Sequence, residues 1–269
     1  MPSPGGRLSS AAMSHPHAPL LLITGASRGI GAATALLAAE RGWDVAVHYL
    51  RDGPSAERVA NAVRARGRRA VLLPGDVADD RIVRGMFEQL DVWRDTGVVG
   101  ALRGLVNNAG IVAEAQRVDE MSAERVQRVF AVNVLGAMGC AREAVRRMST
   151  RHGGSGGAIV NLSSVAARLG SPNQYVDYAA AKAAIDTFTI GLAHEVAREG
   201  VRVNAVRPGI IDTEIHASGG QPDRAQRLSP QIPLGRPGSA DEVARGIVWL
   251  LSDEASYCTG TVMDVTGGR

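Results

Sequence analysis

The sequence predicts a one-domain α/β fold, and three observations carry that prediction. Short runs of Val, Ile, Leu and Ala recur along the chain, most of them followed by a stretch of helical periodicity, the alternation expected of strands and crossover helices. The first run, Leu20 to Thr24, is closed by the glycine turn TGASRGIG (Thr24 to Gly31), which opens an Ala- and Leu-rich helical pattern. Hydrophobic residues make up 45% of the 269 positions and aromatics only 4%, with 32 glycines. Such a composition suits a core of small aliphatic side chains with many tight turns.

In the first turn, Gly25 permits the reversal, Gly29 lets the backbone approach a pyrophosphate and Gly31 lets the helix pack on the strand. Ser27, Arg28 and Ile30 complete the stretch whose free N–H groups and positive helix end would face phosphates. The second strand, Asp44 to Tyr49, carries no acid where one would hold a ribose 2′-hydroxyl. Tyr49 stands there, with Arg51 two residues on and Arg28 in the glycine turn, a pattern that favours NADP(H) over NAD(H), since guanidinium forks bind phosphate and an acid would repel it. Arg51 as a merely solvated side chain is the bland alternative, and His48 is a weaker candidate for the same pocket.

Residues Pro54 to Gly67 read as an amphipathic helix and Arg69 to Pro74 as a third strand leading to Gly75-Asp76-Val77. Asp76 either caps the next helix, Asp79 to Trp93, or contacts an adenine with Val77 beside it. The fourth strand, Leu102 to Val106, stops at Asn107-Asn108-Ala109-Gly110, a bland turn or a set of small and amide residues that ties the sheet edge and lies flat against a cofactor. Ser122 to Met148 is helical and contains Asn133, whose buried amide must be satisfied or employed. The loop Ser149 to Gly157 leads to a fifth strand, Ala158 to Leu162. A helix follows to about Arg198, then a sixth strand, Val201 to Val206, ending at Pro208-Gly209. Ile210 to Pro237 loses periodicity and is expected to be a lid or binding loop. Ser239 to Leu251 makes the last helix and Thr261 to Val265 the last strand, and Trp43, Trp93 and Trp249 are taken as packing residues.

Chemistry concentrates at Tyr178 and Lys182. Four apart on a helix, they share one face, so an ammonium sits beside a phenol and is expected to draw its pKa toward the working range. Ser164 comes fourteen positions before Tyr178, just past a strand end, where a hydroxyl can hold a substrate oxygen while Tyr178 exchanges the proton. Tyr175 acts as an internal control, because its i+4 neighbour is the uncharged Ala179.

Other classes are less well supported. The formal net charge of +3 is spread among acidic residues, so no nucleic-acid footprint stands out. Cys140 and Cys258 lack metal-ligand spacing, which argues against a metal or disulfide framework and fits a reducing cytoplasm. Residues 1–18 are expected to be a disordered tail, with Met13 an alternative start, and neither a signal peptide nor a membrane span is expected.

From about Leu20 onward the chain strongly resembles the short-chain dehydrogenase/reductase superfamily, of the compact one-domain type. TGASRGIG resembles that family's cofactor turn, Asn107 to Gly110 its NNAG motif, Asn133 its active-site Asn, and Ser164, Tyr178 and Lys182 its Ser and Tyr-x-x-x-Lys. Pro208-Gly209 resembles its PG turn beside the nicotinamide, with Ile210, Ile211 and Thr213 as nearby contacts. The Ser to Tyr interval looks one residue longer than in many members, and the N-terminal tail has no counterpart. The resemblance implies a three-layer Rossmann fold with a doubly wound seven-stranded parallel sheet, hydride transfer between nicotinamide and a carbonyl carbon, and a homotetramer. It also implies that Lys182 binds the nicotinamide ribose and that Asn133 helps hold a water linking Lys182 to solvent. Three functions follow: an NADP(H)-dependent ketone or sugar oxidoreductase, a 3-oxoacyl thioester reductase, and a silent dinucleotide-sensing module, against which the intact Asn133, Ser164, Tyr178 and Lys182 set argues. The substrate pocket is expected to draw on Ile211, Ile215, His216 and Ser218 to Gly220.

Overall fold

Seven strands form one parallel sheet in the order β3-β2-β1-β4-β5-β6-β7. They are β1 (Leu20–Ile23), β2 (Asp44–Tyr49), β3 (Ala70–Pro74), β4 (Leu102–Asn107), β5 (Gly157–Leu162), β6 (Val201–Pro208) and β7 (Val262–Val265). The computed structural model describes residues 18–214 and 219–269, so the expectations for the N-terminal tail before Ala18 and for Ile215, His216 and Ser218 lie outside the described residues. Strand order reverses between β1 and β4, and at such a switch point the carboxyl ends of the strands part to leave a crevice.

Both faces of the sheet are covered, which explains why the strands read as continuous apolar runs. In β1, Leu21 and Ile23 point to one face and Leu20 and Leu22 to the other, all four buried. The first face packs under α1 (Gly29–Glu40), α2 (Gly53–Arg64) and α9 (Ala240–Leu251). The second packs under α3 (Asp80–Asp95), α5 (Ala137–Met148) and α7 (Val176–Val196), with Phe87 and Met148 fully enclosed. Each such side chain contributes roughly 1.5 to 3 kcal/mol through its burial.

The helical region expected over Ser122 to Met148 is built of three pieces. Helix α4 (Ala123–Phe130), capped by the Ser122 side chain, passes into a π-helical turn over Ala131–Gly136 before α5 begins. The wide turn packs tightly: a Cβ on Gly136 would lie 2.8 Å from the Val77 carbonyl oxygen, so this turn presses on the segment between β3 and α3. Helix α9 starts where the sequence indicates, with a reciprocal cap between Ser239 and Glu242.

The expectation that Ile210 to Pro237 has no structure of its own is corrected. Ile211 bridges to Gly238, and a short helix α8 (Arg224–Leu228) runs into a 3-10 turn over Ser229–Gln231. Ile210, Ala225 and Ile232 bury one another in a small separate cluster with Leu228 against it. Five residues of helix with three apolar anchors leave too short a periodic signal to read from sequence. Ahead of α7 lies the single-turn helix α6 (Ala166–Leu169).

Candidate active site

The glycine turn is a cradle whose shape depends on the absence of side chains. Gly25 and Gly29 have φ of +64° and +55°, and a Cβ on Gly31 would stand 2.5 Å from the Gly25 carbonyl oxygen and 2.6 Å from Asn108 Nδ2. Asn108 explains the second contact, because its Nδ2 donates to the carbonyls of Thr24 and Gly25 at 2.8 and 2.9 Å. Thr24 answers from the other side, its hydroxyl accepting from the N–H groups of Asn108 and Ala109 at 3.0 and 2.9 Å. The NNAG stretch thus ties the β1 and β4 ends together, the tying alternative rather than a bland turn. Asn107 continues the tie inward, donating to Asn161 Oδ1 at 2.9 Å, and Asn161 donates to the Thr189 hydroxyl at 2.9 Å.

Helix α1 begins at this cradle with Arg28 as its N-cap, no side chain capping it and no acid in its first turn. Open N–H groups at the positive end of a twelve-residue helix suit an anion. The cleft beside it is lined by Gly25, Ser27, Arg28, Gly29, Tyr49 and Arg51, and farther along by Asp76, Val77, Ala109 and Thr213. Gly31 lies beneath it and serves packing.

His48 is corrected as a phosphate candidate. Its ring is buried, Nδ1 accepts from the Gly25 N–H at 3.0 Å, and Nε2 lies 3.0 Å from the Gly75 carbonyl. Burial lowers its pKa to about 4, so it is neutral and the Nε2 proton goes to Gly75. His48 therefore pins the glycine turn to the end of β3. Asp76 does not cap α3, which Asp79 does; its Oδ1 accepts from the Ala78 N–H and its Oδ2 pairs with Arg128 at 2.9 Å. Asp52, next to Arg51, caps α2 through Ser55.

A second cleft meets the first at Ile30, Asn108, Gly110, Val112 and Thr213. Ser164, Tyr178 and Lys182 line it together with Pro208, Gly209, Ile210 and Ile211. Gly209 is fixed by close packing, since a Cβ there would come 2.7 Å from Thr266 Cα. All the sequence-derived cofactor candidates except Gly31 thus line one of two joined clefts, as an elongated dinucleotide requires.

Lys182 is buried and donates from Nζ to the Leu162 carbonyl at 2.6 Å, with Nζ 5.6 Å from the centroid of the Tyr178 ring. Burial lowers its pKa to about 8, against the smaller opposite pull of Asp186 one turn along. The expectation that Lys182 draws the Tyr178 phenol downward is corrected. Burial raises the Tyr178 pKa, and the group opposing it is Ser164, by a hydrogen bond. In this geometry the ammonium faces the ring and the β5 carbonyl, so desolvation outweighs the cation.

Asn133 stands behind Gly110: a Cβ on Gly110 would come 2.7 Å from Asn133 Oδ1 and 3.6 Å from Lys182 Nζ. Its Nδ2 donates to the carbonyls of Ile111 and Val129, both at 2.9 Å, and its Oδ1 accepts from the Ile111 N–H at 3.2 Å. Both side-chain donors are taken by the backbone, so the amide holds the loop after β4 and has no proton left to offer a water.

Tyr175 is more than a control. It lines the same cleft as Tyr178, and its hydroxyl accepts from Gln221 Nε2 at 2.7 Å, fastening the 219–224 stretch to the start of α7. Sequence reasoning also missed the buried pair of Asp177 with Arg125, whose Nε donates at 2.9 Å and which joins α7 to α4. Arg224 and Arg269 in the second cleft were missed as well. Nothing in spacing or periodicity marks these residues, because their partners lie far along the chain.

The family model described as enoyl-(acyl carrier protein) reductase matches residues 25–269. The oxidoreductase YgfF of Escherichia coli K12, itself described as uncharacterised, is 53% identical over 250 residues, covering 93% of this chain and 99% of the relative. This chain belongs to the short-chain dehydrogenase/reductase family. Among further relatives of this oxidoreductase, the 3-oxoacyl-[acyl-carrier-protein] reductase FabG of Staphylococcus aureus is 36% identical, with 92% of this chain and 96% of the relative covered. The crystal structure of a short chain dehydrogenase from Burkholderia cenocepacia J2315 in complex with NADP superposes with a TM-score of 0.83 at 32% identity, covering 93% and 97% of the two chains. Among the described residues no helix is long and apolar enough to cross a membrane.

Proposed function

We propose that this oxidoreductase interconverts a ketone, or a sugar carbonyl, and the corresponding secondary alcohol with NADP(H), using Tyr178 as the acid/base. The observation that carries the reading is the meeting of Ser164, Tyr178 and Lys182 in a cleft continuous with the glycine cradle. NADP(H), when bound, supplies or receives the hydride. The chain's own residues handle the proton and the orientation. Tyr178 gives its phenolic proton to the carbonyl oxygen during reduction, or takes it from the alcohol during oxidation, and Ser164 holds that oxygen in reach. Lys182, with its pKa near 8, remains largely protonated at neutral pH and supplies positive potential beside the developing phenolate. Gly25, Ser27, Gly29 and the open end of α1 would hold the pyrophosphate, with Arg28, Tyr49 and Arg51 around the adenosine ribose and Thr213 over the turn. The NADP of the Burkholderia relative and the absence of an acid at Tyr49 support the cofactor choice.

A 3-oxoacyl thioester is the second reading, favoured by the FabG relative; the same atoms would react. The test is turnover of ketones, aldoses and acyl thioesters with both cofactors by wild type and by Tyr178→Phe. Removing only the transferable proton should lower kcat by at least about 10²-fold, within the usual range for general acid/base groups, while NADPH still binds. A Tyr178→Phe enzyme with near wild-type kcat would refute the assignment.

A further inference from the structure

Among the described residues, the half-buried arginines mostly have carboxylate partners. Arg125 has Asp177, Arg207 has Asp186 and Asp264, and Arg147 has Asp91 and Glu143. Arg202, which has none among the described residues, spreads its donors over the carbonyls of Leu250, Leu251, Ser252 and Cys258. Two arginines in the Tyr178 cleft follow neither pattern.

Arg224, at the start of α8, is half-buried with its guanidinium 5.2 Å over the Tyr175 ring. Among the described residues only its Nη1 finds acceptors, the amide oxygens of Gln174 at 2.6 Å and Gln221 at 3.3 Å. Burial lowers its pKa, and the like charges of Arg227 and Arg269 add to that against the opposite pull of Tyr175. Arg269 reaches the same cleft because Gly267 and Gly268, at φ of +65° and +95°, fold the chain against Ile232 and Pro233. Its Nη1 is buried with no hydrogen-bond partner among the described residues. Two partly desolvated guanidiniums facing one cleft with no side-chain carboxylate paired to them among the described residues are unfavourable in isolation and become favourable when an anion is placed between them.

We propose that the substrate carries an anionic group, a carboxylate or a phosphate, recognised by Arg224 and Arg269 while its carbonyl or hydroxyl lies at Tyr178. The inference rests on the reading of this cleft as the substrate site. Planar guanidinium forks read such groups through paired N–H donors, and Tyr175 and Gln174 hold the Arg224 fork in place. This binding is separate from the cofactor's phosphates, whose candidates Arg28 and Arg51 line the other cleft.

Two matched pairs test the proposal: 3-oxohexanoate against its methyl ester, and dihydroxyacetone phosphate against dihydroxyacetone. In at least one pair the wild type should favour the anion by roughly tenfold or more in kcat/KM, and the preferred pair tells carboxylate from phosphate. That ratio should fall about tenfold in Arg224→Met and in Arg269→Met, and less in Arg224→Lys. Equal use of both members of both pairs overturns the proposal, as does a preference that survives both Met substitutions. A binding arm separates this from the activity itself: calorimetry of the two anions with the Tyr178→Phe enzyme loaded with NADPH, with and without Arg224→Met. Binding that depends on Arg224 sustains the proposal even if wild type turns over none of the four compounds, a result that would count against the ketone or sugar substrate reading alone. No binding of either anion overturns the proposal whatever the activity, and NADPH affinity reduced tenfold by Arg224→Met would assign that arginine to the cofactor instead.

Discussion

At the scale of single residues, His48 shows how a polar side chain can be part of a binding site without touching a ligand. It is enclosed, neutral and bonded at both nitrogens, so replacing it strands the Gly25 N–H and the Gly75 carbonyl. Its pKa, lowered to about 4 from the ordinary 6.5, carries a pH dependence whose sign is determined. Below pH 6.5 the unfolded chain binds a proton that the folded chain refuses, so stability is full above 6.5 and falls as pH drops toward 4. The loss is on the order of 3 kcal/mol. Urea unfolding of wild type and His48→Asn from pH 7 to 4 should show their stability difference shrinking by that order. A difference independent of pH would contradict the buried neutral imidazole.

The elements carry the recognition of the cofactor and the rigidity of the cleft. Strand β2 delivers Tyr49 to the cradle and the following turn delivers Arg51, so both residues proposed to set cofactor choice lie at one strand end. Tyr49→Asp should weaken NADPH and strengthen NADH, and Arg51→Ala should weaken NADPH alone, each moving the ratio of dissociation constants by about tenfold to a hundredfold. Tighter NADH than NADPH binding by wild type would sink the NADP(H) assignment. Helix α7 is held to α4 by the Arg125 fork on Asp177, whose side chain is 2% exposed. Arg125→Met leaves that carboxylate buried without its cation and should cost about 3 to 5 kcal/mol, whereas Arg125→Met with Asp177→Asn should cost less. A double variant that loses the sum of the Arg125→Met and Asp177→Asn losses, read from urea unfolding free energies, would mean the pair is not coupled.

For the whole molecule, the cradle on β1, the tie from β4 and the cleft under α7 lie on different segments that only the folded sheet assembles. A ligand that needs all of them binds the folded chain alone and therefore stabilises it. At a hundred times its dissociation constant NADPH should add about 2.7 kcal/mol, a rise in Tm of roughly 5 to 10 °C for a chain of this size. NADH at the same concentration, if bound tenfold more weakly, should give about half that rise. Identical shifts would remove the basis for the preference.

The strands, the glycine cradle and the pairing of Tyr178 with Lys182 were legible in the sequence because each depends on local periodicity or on a glycine whose φ the backbone demands. A continuous apolar run in β1, an i+4 spacing on α7 and positive φ at Gly25 and Gly29 are properties of neighbours along the chain. What only the tertiary structure decided are effects of distant partners and of burial. The imidazole of His48 serves Gly25 and Gly75, 23 and 27 positions away, and the Asn133 amide is consumed by Ile111, 22 positions away. Arg224 and Arg269 meet through a short helix and a turn that no pattern announces. The Tyr178 pKa moved opposite to expectation for the same reason: spacing brings a cation near, but desolvation depends on everything packed around the phenol.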